Sequence, residues 1–275
     1  MDLNTVTEVA RPQTRAQLPI WTAGDAWLAG GTWLFSEPQS HLKRLIDLSE
    51  LKWPALTIHD NGLEIAATCT VAQLDTLACP VEWAAAPLIN QCCRAFLASF
   101  KIWKTATVGG NICMSLPAGP MISLTTALDG ICTIWKPDST ELRIQVADFI
   151  TGSQRNVLAP GDLLRKIEIP LVALKRRTVF RQISLTPVGR SAALLIGALD
   201  QNGAMILTIT ASTVRPIRIE FSSIPQEAEL RDAVRRHIPR ELYHTDIHGK
   251  PEWREHMTFR LAEDIRVELQ GVTRP

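Results

Sequence analysis

The sequence predicts an α+β fold, and three observations carry that reading. Short apolar runs end at glycine or Asn-Gly turns, as strands do where the chain must reverse. Two segments, Trp83–Ala98 and Glu252–Leu269, repeat their apolar residues at helical spacing. Between residues 178 and 211 the chain reads as a meander of long strands.

Taken in order, Asp25–Ala29 is a short apolar strand that runs into the turn Gly30-Gly31, and His41–Leu48 ends in a second strand, Ile46-Asp47-Leu48. A boundary falls near Trp53-Pro54. Ala55–His59 and Leu63–Thr68 then flank Asp60-Asn61-Gly62, a strong hairpin signal. Thr70–Leu77 reads as a short helix capped by Thr70. In the helix Trp83–Ala98 one face holds Ala85, Leu88, Ile89, Cys92, Cys93, Phe96 and Leu97. The apolar helix Met121–Leu128 follows, then strands Gly130–Trp135, Glu141–Ile144 and Leu163–Ile169, with a second boundary near Pro170. Thr178–Ser184, Ser191–Leu199 and Ala204–Ala211 form the meander, with Gln201-Asn202-Gly203 as its second turn. Helices near Gln226–His237 and Glu252–Leu269 close the chain, the latter with the stripe Trp253, Met257, Leu261, Ile265 and Leu269.

Composition narrows the function. A chain of 275 residues, 46% hydrophobic and 21% charged, is that of a globular protein with a sizeable core. A net charge of +1 gives no field for nucleic acid, and Lys175-Arg176-Arg177 is read as a solvated turn. The start, Met1-Asp2-Leu3-Asn4, has no signal-peptide pattern, and no run is long enough for a membrane span. A cytoplasmic protein is therefore expected. Six cysteines without a Cys-x-x-Cys pair are read as free core thiols rather than cluster ligands, and the six histidines have no metal-ligand spacing. Asp148 and Asp162 are read as loop residues bonding their own backbone. Eight tryptophans against one tyrosine is unusual, and most are assigned to core or interface.

The chemistry-bearing stretch is Thr107–Pro120, Thr-Val-Gly-Gly-Asn-Ile-Cys-Met-Ser-Leu-Pro-Ala-Gly-Pro. Gly109 and Gly110 leave backbone N–H groups uncovered, Asn111 adds an amide and Ser115 a hydroxyl. With the upstream loop Leu28-Ala29-Gly30-Gly31-Thr32, it is expected to hold one nucleotide through backbone N–H groups.

Ala29-Gly30-Gly31-Thr32, Ile46-Asp47-Leu48, Ala106–Ile112 and Ser115-x-Pro117-Ala118-Gly119 occur here in a fixed order. They are followed by Asp162–Pro170 and Phe180-Arg181-Gln182-Ile183-Ser184. This ordered set resembles the FAD-binding (medium) subunit of molybdenum-containing hydroxylases, the group of xanthine dehydrogenase and carbon monoxide dehydrogenase. The resemblance implies a two-part FAD-binding domain of the PCMH type (vanillyl-alcohol-oxidase-like), split here as residues 1–53 and 54–170. Residues 171–275 would form a C-terminal three-stranded sheet with helices, like that of the CO dehydrogenase flavoprotein. It implies FAD contacts from Trp27, Leu28, Ala29, Gly30, Gly31, Thr32, Trp33 and Leu34, from Thr107, Val108, Gly109, Gly110 and Asn111, and from Leu97 and Ser115. Leu164 would lie against the isoalloxazine ring and Arg181 near it, where a cation favours the anionic reduced flavin. Pro120 stands where the family usually has Asp.

The activity so implied is that of an FAD-dependent oxidoreductase subunit with no catalytic acid, base or nucleophile of its own. Electrons would come from iron–sulfur clusters of a small partner subunit, after hydroxylation at a large molybdopterin-binding subunit, and leave to NAD+ or another acceptor. Two other readings stay open. One is a flavin-poor scaffold joining the two partners, which Pro120 motivates. The other is a stand-alone FAD oxidoreductase, such as the enzyme that reduces enolpyruvyl-UDP-N-acetylglucosamine.

Overall fold

A computed structural model describes residues 3–271; Met1, Asp2 and residues 272–275 lie outside the described residues, and with them half of the segment read above for a secretory signal. The chain begins with three short strands, β1 (Glu8–Ala10), β2 (Asp25–Leu28) and β3 (Arg44–Asp47), all parallel and in the order β1-β3-β2. Because β2 and β3 are parallel, the chain between them must cross back. The glycine loop therefore leaves from the carboxyl end of β2, the edge at which parallel sheets receive ligands.

Arg44 on β3 locks this sheet. Its Nε and Nη2 donate to the two oxygens of Asp25 at 3.0 and 2.6 Å, and the Asp25 side chain is 1% exposed. The Arg44 fork holds the Asp25 carboxyl below the usual carboxylate range, outweighing burial. That stabilisation is present above the ordinary Asp pKa of about 4 and is lost as pH falls through the depressed folded value. Asp25→Asn is expected to remove about 2 kcal/mol and to flatten the acid limb of stability, read by urea unfolding between pH 3 and 7.

The middle of the chain holds β4 (Leu56–His59) and β5 (Gly62–Ala66), then α1 (Val71–Asp75), α2 (Ala86–Ala95), α3 (Phe100–Trp103), α4 (Val108–Met114) and α5 (Pro120–Ala127). After these come β6 (Ile131–Trp135), β7 (Glu141–Gln145), α6 (Val146–Phe149), the small hairpin β8 (Ile150–Gly152) and β9 (Arg155–Asn156), β10 (Leu163–Pro170) and α7 (Leu171–Leu174). Five of the strands form an antiparallel sheet in the order β4-β5-β10-β6-β7. Gly62, φ 138°, makes the expected turn after Asn61, and Thr70 caps α1 in a full capping box with Gln73. The long helix expected over Trp83–Ala98 is shorter. Pro87 is tolerated only in a first turn, so α2 starts at Ala86, and Phe96 and Leu97 leave the helix altogether.

The last part holds β11 (Arg177–Ile183), β12 (Ala193–Leu199), β13 (Met205–Thr210) and β14 (Ile217–Phe221), covered by α8 (Glu227–His237) and α9 (Pro251–Leu269). The C-terminal sheet has four strands where three were expected. The fourth alternates Ile217 and Ile219 into the core with Arg218 and Glu220 outward, and it pairs with β13. All eight residues of α5 are buried, because it lies between the middle helices and the C-terminal sheet. Its Ser123 hydroxyl bonds the Thr210 hydroxyl at 2.7 Å, and Ala211 N–H donates to Pro117 O at 2.8 Å.

Candidate functional site

The first loop is shaped by its two glycines. At Gly30 a β-carbon would overlap the Thr105 carbonyl oxygen and stand 2.8 Å from its carbon, so the missing side chain is what brings this loop against Thr105–Ala106. Gly31 takes a left-handed conformation, φ 67°, open to few other residues. The chain then curls, with Phe35 N–H donating to Gly31 O at 2.8 Å, and the backbone N–H groups of Gly30 to Leu34 donate to no acceptor among the described residues. A run of free N–H groups around a left-handed glycine is a concavity suited to an anion.

The second stretch departs from expectation. Thr107–Asn111 is not an open glycine turn but the start of α4, with Thr107 as its N-cap. From Val108 onward its N–H groups are already engaged. Val108 donates to Cys69 O, Gly109 to Ala67 O, Gly110 to the Thr107 hydroxyl and Asn111 to Thr107 O, at 2.8 to 3.0 Å. Gly109 is needed for packing, since a β-carbon there would lie 2.5 to 2.7 Å from Ala67 atoms. What this segment presents instead is side chains. Asn111 Oδ1 accepts from Met121 N–H at 3.1 Å, which directs its Nδ2 away from α5.

Both segments wall one cleft. A first compartment of about 440 Å³ is lined by Trp27, Ala29 through Leu34, Leu97, Thr107, Gly110 and Asn111 among the expected residues. A second, of about 430 Å³, shares Phe96, Leu97, Asn111, Leu116 and Arg190 with it and extends to Pro120, the loop Thr186–Arg190 and His248. Six expected residues lie outside this lining. Leu28 pairs with Asp47 beneath the loop, and Val108 and Gly109 face the core. Ser115 is fully buried, with its hydroxyl donating to Ile112 O and accepting from Asn156 Nδ2. Leu164 is core, opposite Ile134 on β6. Arg181 is held by Glu268 of α9.

Arg190, not Arg181, is the charged side chain that lines the cleft, and it lines both compartments. The sequence carried little signal for it beyond the Pro187-Val188-Gly189 turn. No carboxylate lines either compartment, so the cleft favours an anion with flat, apolar parts. Cys113 lines the first compartment, and burial pushes its thiol up to about 12, which favours the neutral form. Among the described residues no cluster of His, Cys, Asp or Glu is placed to hold a metal ion.

A family model described as the FAD binding domain in molybdopterin dehydrogenase matches residues 7–172. The chain belongs to this family. FAD is its cofactor, and the cleft fits that group: free N–H groups for a pyrophosphate, apolar walls for rings and no opposing acid. Solved structures agree on the fold of the whole flavoprotein. Quinoline 2-oxidoreductase from Pseudomonas putida 86 superposes with a TM-score of 0.78 at 18% identity, over 99% of each chain. The cyanide-inactivated Cu,Mo-CO dehydrogenase gives 0.78 at 19%, over 94% of this chain and 95% of that one. Carbon monoxide dehydrogenase from Hydrogenophaga pseudoflava gives 0.77 at 16%, over 94% and 96%. Comparison with curated proteins returned no match. Among the described residues no helix of this flavoprotein is long and apolar enough to cross a membrane.

Proposed function

We propose that this chain is the electron-transfer flavoprotein of a multi-subunit, xanthine dehydrogenase-like molybdenum hydroxylase of the cytoplasm. It would take electrons from the iron–sulfur clusters of a small subunit, downstream of a large molybdopterin-binding subunit, and deliver them to NAD+ or another acceptor. The observation that carries this reading is the cleft itself, which offers anion-binding N–H groups and apolar walls but no acid, base or nucleophile set. Bound FAD supplies the redox chemistry, accepting electrons singly and releasing them in pairs.

The chain's own residues bind and orient. The N–H groups of Gly30 to Leu34 would hold the pyrophosphate, Asn111 Nδ2 would add a donor, and Phe96, Leu97 and Met114 would exclude water from the rings. Pro120 does not leave a defect where the family has an acid. It is the first residue of α5, where a missing N–H is harmless, and Asn111 bonds the next one. The three-part division at residues 53 and 170 is supported by three separate main sheets and by a family match that ends at residue 172.

The test is flavin content of the complex purified with its partner subunits. One FAD per chain, released on denaturation, is expected and would dispose of the flavin-poor scaffold. A complex without flavin absorbance would sink the proposal.

A further inference from the structure

Seven of the eight tryptophans have a structural role, and the eighth does not. Trp21 and Trp27 stack at 5.0 Å between ring centroids, and the Trp27 indole N–H donates to Asp162 O. Trp53 and Trp135 meet edge to face, Trp83 is core, Trp103 donates to Phe96 O, and Trp253 packs on the C-terminal core. Trp33 belongs to no core cluster, stacks on no ring, and its indole donates to no acceptor among the described residues. It is half-buried and lines the first compartment.

An indole half-buried in a cleft, with no ring stacked on it, keeps apolar surface uncovered, and a flat heteroaromatic ring is the partner that covers such a surface best. Trp33 also lies within the run of free N–H groups, so a ring stacked on it is tethered to the same phosphates. We propose that Trp33 stacks on the adenine of bound FAD, and so selects the dinucleotide over FMN. Charge separates the two rings of the cofactor. The second compartment has both Arg190 and the polar His248 in its lining and suits the isoalloxazine, which takes up charge on reduction. The first has Arg190 only at the junction and is otherwise uncharged, which suits adenine. The inference rests on the flavin reading above and assigns one residue within it.

The experiment is equilibrium binding of FAD and of FMN to the full chain freed of flavin, wild type against Trp33→Leu and Trp33→Phe. Trp33→Leu is expected to weaken FAD about tenfold, the order of one base–aromatic stack, and to leave FMN unchanged. Trp33→Phe should retain most of the FAD affinity. Equal weakening of FAD and FMN, or none of either, would overturn the proposal. So would bound-flavin fluorescence that is quenched in wild type and relieved in Trp33→Phe, because that places the indole on the isoalloxazine. A wild-type chain that takes up neither nucleotide would instead sink the flavin reading, and this inference with it.

Discussion

Replacing Gly30 with alanine is expected to cost the flavoprotein its FAD. The added β-carbon would overlap the Thr105 carbonyl oxygen, and backbone stands on both sides, so no flexible side chain can yield. The two walls of the cleft must then part at the point where the free N–H groups of Gly30 to Leu34 begin. Overpacking of this kind costs about 1–3 kcal/mol, and taken from binding it lowers affinity by about ten- to a hundredfold. The measurement is flavin absorbance per chain after purification, with Gly152→Ala as control, since a β-carbon at Gly152 meets only Arg155 at ordinary contact distance. Full flavin in Gly30→Ala would mean that the loops are not held by this approach.

Arg254→Leu should be the most damaging single change to stability. The side chain is 1% exposed on α9, and its guanidinium donates to Ala192 O at 2.6 Å, Ala211 O at 2.7 Å and Gly249 O at 3.1 Å, and pairs with Asp246. Leucine would strand three carbonyls and one carboxylate, a loss of about 3–5 kcal/mol. Urea unfolding checks it, and Arg254→Lys should recover only part, because an ammonium lacks the planar fork. The effect extends to the cleft, because Asp246 also accepts from His248 N–H at 2.8 Å and so holds the loop that lines the second compartment. Burial pushes the Asp246 carboxyl up, but the His248 N–H and the Arg254 guanidinium outweigh it and hold it below the usual range. The stability from Asp246 is therefore present above the ordinary Asp pKa of about 4 and lost as pH falls through its lower folded value. The deficit of Arg254→Leu should shrink in acid, and a deficit that is constant from pH 3 to 7 would count against the pair.

Local rules were legible wherever the partner of a residue lies close in the chain. The capping box at Thr70, the hairpin at Asn61-Gly62 and the apolar stripe of α9 are settled within a few residues by dihedral preference and periodicity. Pro87 was legible too, and read as a first-turn residue it would have shortened α2. The alternation of Ile217 and Ile219 would likewise have added the fourth strand. Gly109-Gly110 misled for a different reason. Glycine pairs disfavour helix, yet here the Thr107 cap and the approach of Ala67 hold α4 in place, and the helix depends on the turn after β5, some forty residues earlier.

By itself, then, the sequence determined the α+β architecture, the strand-to-glycine-loop unit at Gly30-Gly31 and the family to which the chain belongs. These rest on short-range geometry and on the order of motifs. Only the tertiary structure decided which loop keeps its N–H groups free, that Arg190 rather than Arg181 lines the cleft, and that Trp33 alone among the tryptophans lacks a partner. Each of those depends on what fills the space around a group, and that is set by segments distant in the chain.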